Sequence, residues 1–133
     1  MNKLFCILIL SLCVAAHGQL AVTVFPPKVT GQKAVVELSL KNNLTNEVQS
    51  ARAICLLLDE KGKMVGQSTK WVIGQNKKGL DTKGEAKFNF VITSPQPLMA
   101  SNLTAQVIFS RIVLDGGKQA NVQQDVTVIP ATK

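Results

Sequence analysis

Apolar and polar residues alternate through most of the chain beyond its first eighteen positions. A two-residue period marks strands that turn one face toward a core. The clearest cases are 33–41 and 84–93. In the first, Ala34, Val36, Leu38 and Leu40 share one face; Lys33, Glu37, Ser39 and Lys41 share the other, with Val35 an apolar exception. In the second, Ala86, Phe88, Phe90 and Ile92 point one way and Glu85, Lys87, Asn89 and Thr93 the other. Segment 48–58 breaks the rule. It ends in Ala53, Ile54, Cys55, Leu56, Leu57 and Leu58, apolar on both faces, which predicts a central strand whose second face is at least partly covered. Segment 64–73 returns as its partner. Weakened at Gly66 and polar at its centre, it is expected at a sheet edge.

Turn chemistry separates these runs. Segment 20–25 stops at Pro26-Pro27, which removes two ladder donors. Segment 42–46 is an Asn-rich turn, and 59–63 reads as a tight hairpin with Gly62 at the position that needs positive φ. A loop over 74–84 carries three glycines and three lysines, and Ser94-Pro95-Gln96-Pro97 interrupts the next run. In 103–114, Leu103, Ala105, Val107 and Phe109 share a face that Arg111 would continue, so a bulge or the core's margin is expected near Ser110. Asp115-Gly116-Gly117-Lys118 reads as a second hairpin turn, after which 120–129 closes the sheet. The sum is about seven strands, spaced for an all-β, antiparallel two-sheet sandwich.

The first eighteen residues follow a different logic. Lys3 supplies a basic start, 4–16 is apolar but too short to span a bilayer, and Ala16-His17-Gly18 offers small residues for cleavage. They predict a signal peptide over 1–18, a domain over 19–133, and a secreted or periplasmic destination. Leu10-Ser11-Leu12-Cys13 resembles a lipid-attachment box, but Leu12 stands where a small residue belongs. No later stretch approaches the ~20 residues of a membrane helix, so no transmembrane anchor is expected.

Removing the leader changes the chemistry available. The formal charge of +7 loses one lysine and becomes +6, and the single histidine, His17, leaves with Cys6 and Cys13. Without an imidazole, no Ser-His-Asp or Cys-His nucleophile can be assembled. Cys55 alone supplies neither a zinc site nor an intrachain disulfide. Paired-carboxylate chemistry has acids available, such as Asp81 and Glu85, but nothing sets two of them across a cleft. Asp59, Lys61 and Lys63 occupy places where a calcium loop wants oxygen ligands. The expectation is a non-enzyme without cofactor or metal. The modest positive charge and the export signal argue against nucleic acid.

Leu56-Leu57-Leu58-Asp59-Glu60-Lys61-Gly62-Lys63-Met64-Val65, preceded by Leu38-Ser39-Leu40-Lys41-Asn42-Asn43, resembles the immunoglobulin-like sandwich that accompanies the catalytic barrel in family-two glycoside hydrolases, and related fibronectin-like modules. Ser94-Pro95-Gln96-Pro97-Leu98 sits where such domains carry a proline-rich crossing. These residues encode turns, so the resemblance implies an immunoglobulin-like fold and no glycosidase activity.

Two readings of function follow. The first is an exported, non-catalytic interaction module that binds a protein partner or assembles at a surface or envelope. The second is a carbohydrate-binding module with Trp71 as its platform. Both point to the only tryptophan, Trp71, with Lys70 beside it and Lys77, Lys78 and Lys83 in the following loop. The plainer account has Trp71 and Ile73 capping the core while the lysines guard an edge strand. Asn43-Leu44-Thr45 and Asn102-Leu103-Thr104 match the N-glycosylation acceptor and matter only in a eukaryotic secretory pathway. Cys55, in the most apolar stretch, is expected to be buried and inert, with intermolecular pairing the sharper alternative.

Overall fold

The computed structural model describes residues 18–74, 78–99 and 103–131. All of the expected leader except Gly18 lies outside the described residues, as do Lys77 and Asn102. Eight strands follow in order: β1 (Leu20–Val24), β2 (Lys28–Thr30), β3 (Lys33–Asn42), β4 (Val48–Leu58), β5 (Met64–Ile73), β6 (Glu85–Thr93), β7 (Thr104–Leu114) and β8 (Val126–Pro130). Among the described residues, no helix is long and apolar enough to cross a membrane.

The strands form two sheets. In the first, β3 is central, with β6 along one side and β1 and β2 end to end along the other; β8 lies outside β1. The second sheet runs β5-β4-β7. The alternation of β3 and β6 translates directly into this arrangement. Val36, Leu38, Leu40 and Phe90 are fully buried, and they meet Ala53, Cys55, Leu57, Val107 and Phe109 of the other sheet in one core. Phe88 and Phe90 lie edge to face, with ring centroids 5.1 Å apart. Gly66 on β5 leaves room for β6: a Cβ there would stand 2.8 Å from Ile92 Cγ2.

The expected turns form for the expected reasons. Gly62 takes φ +81° in the hairpin between β4 and β5. The Asp59 carboxylate accepts the backbone N–H groups of Lys61 and Lys63, each at 2.9 Å. β5 lies at the edge of its sheet. The bulge expected near Ser110 is present, because Arg52 faces Arg111 while Ala53 faces Phe109, leaving Ser110 as the extra residue.

Three expectations need correction. β2 is a strand of only three residues, too short to announce itself between Pro27 and Gly31. The segment expected to be one closing strand over 120–129 is strand only from Val126. Before it, the Asn121 side-chain oxygen accepts from the N–H groups of Gln123 and Gln124, and Asp125 accepts from the Asn121 N–H, so the polar letters fold into a turn. The sandwich is also not wholly antiparallel. β8 runs parallel to β1, with Leu20 opposite Val126 and Val24 opposite Pro130. The glycine turn after β7 returns the chain only as far as a Val113–Gln119 bridge and an Ala120 N–H to Ile112 C=O bond of 2.9 Å.

Asn42 is the buried polar residue that holds one end of the molecule together. Its side-chain NH₂ donates to the carbonyls of Asn46 and Leu80, and its side-chain oxygen accepts from the Leu44 N–H, each at 2.9 Å. Cys55 is fully buried in the core. Burial pushes its thiol up to about 12, so almost no thiolate forms near neutral pH.

Candidate functional site

The two sheets differ on their outward faces. On the first sheet, alternate positions of β3 and β6 set Glu37 against Asn89, Ser39 against Lys87 and Lys41 against Glu85. Lys41–Glu85 (3.9 Å) and Lys87–Glu37 (3.8 Å) form ion pairs across it. Exposed pairs of this kind add little stability, but they make the face compatible with water.

On the second sheet, the register lays four rows across β5, β4 and β7. Trp71, Arg52 and Arg111 share one row; Thr69, Ile54 and Ile108 the next; Gln67, Leu56 and Gln106 the third; Met64, Leu58 and Thr104 the last. Ile54, Leu56, Leu58 and Trp71 are half-buried by their neighbours, while Met64 (49%) and Ile108 (46%) are exposed. These rows hold no acid, and Arg52 and Arg111 are their only charges. This is the second apolar face of β4 that the letters show at 53–58. Among the described residues no third layer lies over it.

The candidate residues named from the sequence fall in several places. Trp71 stands on this face opposite Arg52. Lys70 is exposed and pairs with Ala53, whose side chain points into the core, so it belongs to the opposite side of the strand. Lys78 and Lys83 are exposed in the loop between β5 and β6, which Leu80 fastens to Val48 by two backbone hydrogen bonds. Lys83 holds φ +69°, its N–H donating to the Asn42 carbonyl at 2.6 Å. Asn43 is exposed in its turn. Arg52, Arg111 and Ile108 are members of the face that reading strands one at a time misses, since only the register places them beside Trp71.

No group of three or more His, Cys, Asp or Glu side chains that could hold a metal ion occurs among the described residues. The clefts are small. One of about 290 Å³ is lined by Asp59, Glu60, Lys61, Val65, Pro97, Leu98, Met99 and Leu103. Two more lie along the free side of β7.

No protein-family model and no curated protein matches the chain. Among solved structures it is similar to the ApaA protein of Bordetella pertussis, at 14% identity over 77% of this chain and 87% of that one, TM-score 0.49. It is also similar to IrmA from Escherichia coli, at 8% identity over 83% and 92%, TM-score 0.48. A third is a glycoside hydrolase family 2 member from Bacteroides cellulosilyticus, at 20% identity over 75% of this chain but 14% of the hydrolase, TM-score 0.41.

Proposed function

We propose that the protein is an exported, non-catalytic interaction module that binds a partner protein through the outward face of β5, β4 and β7. One observation carries this reading: the central strand keeps Ile54, Leu56 and Leu58 on a face with no acid and no covering layer among the described residues. The opposite sheet differs in charge rather than in lacking exposed apolar residues: it carries Val91 and Ile129 on its outward side, but an acid–base ladder runs beside them. An apolar patch rimmed by cations marks a contact surface. The matching partner surface is apolar at its centre and acidic where it meets Arg52 and Arg111. The export signal over 1–18 supports a destination at the cell surface, in the envelope or outside it.

The carbohydrate reading has less support. Trp71 is the only aromatic residue in these four rows, and Phe90 and Phe109 are in the core.

A photo-crosslinking amino acid tests the assignment. Placed at Gln67, whose neighbour across the register is Leu56, it is expected to trap a partner in the compartment the protein enters. Placed at Ser39 on the opposite sheet, it is expected to trap none. Equal yields from both positions would remove the assignment.

A further inference from the structure

The two sheets are unequal in width, and the difference leaves a slot. At the level of β1 the first sheet is four strands across, β6, β3, β1 and β8, while the second is three, β5, β4 and β7. β7 touches both β1 and β8, so β8 overhangs the edge of the second sheet by part of a strand. On its far side, β7 has backbone partners only near its end, where Ile112 and Leu114 bond with Ala120 and Lys118. From Thr104 to Ser110 that edge has no backbone partner among the described residues.

Two clefts run in line beneath this edge. One of about 240 Å³ is lined by Val107, Ile108 and Phe109 of β7, by Val126 and Val128 of β8, and by Val122 and Gln123 of the turn that precedes β8. The other, of about 180 Å³, continues it past Thr104 and Ala105 to Pro130 and the chain around Pro26. Both walls repeat every second residue: Ala105, Val107 and Phe109 on one, Val126, Val128 and Pro130 on the other. That is the period of an extended chain. The seven residues from Thr104 to Ser110, about 23 Å of strand, carry no charge and no proline, the usual guards of an exposed edge.

We propose that this slot accepts one extended segment of another protein, which adds to the second sheet beside β7. Its alternate side chains are small and apolar, filling the gap against Val107 and Val128, and acidic residues flank it. The overhang selects a single strand. A second copy pairing edge to edge would bring its own first sheet into the space that β8 occupies. Charge points the same way: Arg111 and Lys118 follow the open stretch of β7 at one end of the slot, and a chain with formal charge +6 once the leader is removed repels its copy and attracts acids. The slot adjoins the outward face assigned above and shares Thr104, Ile108 and Arg111 with it, but its wall on β8 belongs to the slot alone, and substitutions there test it independently.

The test uses a synthetic peptide in which valine alternates with threonine over seven residues, with two glutamates at each end. Binding is expected with protection of β7 amides between Thr104 and Ser110 in hydrogen exchange. A peptide with proline at its centre, or with the valines grouped together, is expected to bind at least about tenfold more weakly. Val128→Asp, on the half-buried wall, should weaken the first peptide to a similar degree while circular dichroism shows an intact sheet. Val126→Lys provides a second variant should the first fail to fold. Equal binding of the alternating and proline peptides, or binding indifferent to both variants, would overturn the proposal. So would self-association of the protein alone in sedimentation with the same amides protected, since the occupant would then be a second copy.

Discussion

Replacing Phe90 by alanine is expected to lower the free energy of unfolding by about 3–5 kcal/mol. The ring is fully buried at the centre of β6, opposite Val36 of β3 and edge to face with Phe88. Truncation removes its transfer free energy and leaves a void that the two sheets cannot close, because their backbones are fixed by ladders on either side. With Cys55 the only cysteine described, nothing covalent offsets the loss. Total stability of a domain this size is roughly 5–15 kcal/mol, so the variant would sit near its unfolding threshold. Thermal denaturation followed by circular dichroism measures it, with an expected fall in midpoint of about 10–20 °C. A loss below about 1 kcal/mol would mean that the core is not packed as described.

At Asn42 the parent side chain is expected to be the most stable, Asn42→Ala less so and Asn42→Asp the least. Alanine leaves the Leu44 N–H without its partner and opens a small void beside Leu80, which together cost about 2–3 kcal/mol. Aspartate has almost the right shape but the wrong chemistry. Its second oxygen would face the Asn46 and Leu80 carbonyls, to which the asparagine NH₂ now donates, so an ionised carboxylate would be buried against two acceptors. Urea unfolding near neutral pH measures the series. Recovery of Asn42→Asp toward the alanine value as pH falls would fit the same cause, since protonation restores one donor. Aspartate proving as stable as asparagine would show that the site is open to water.

These two residues also show how far the letters reach. Phe90 is legible as core because the 84–93 alternation leaves no other face for it. Asn42 reads only as part of an Asn-rich turn, since its partner Leu80 is 38 residues away and the fastening appears only after the loop between β5 and β6 folds back. The same division runs through the functional surfaces. The double apolar pattern at 53–58 announces that the outward side of β4 is unusual. Arg111 and Ile108 join it only through register, which a bulge at Ser110 shifts. The open side of β7 is less visible still. The sequence after Gly117 looks like an ordinary hairpin return. A few side-chain bonds around Asn121 turn the chain away, and pairing with β1 takes its place. Choices among distant partners leave no periodic trace.

The central claim is that Leu56 and its row serve contact rather than stability, and Leu56→Glu separates the two most directly. The side chain is half-buried on the outward face between Gln67 and Gln106, so a charge there can reach water. A thermal midpoint within about 5 °C of the parent is expected, as for a surface change, together with loss of cross-linking from position 67. A collapse of the midpoint with cross-linking unchanged in the fraction that remains folded would contradict it.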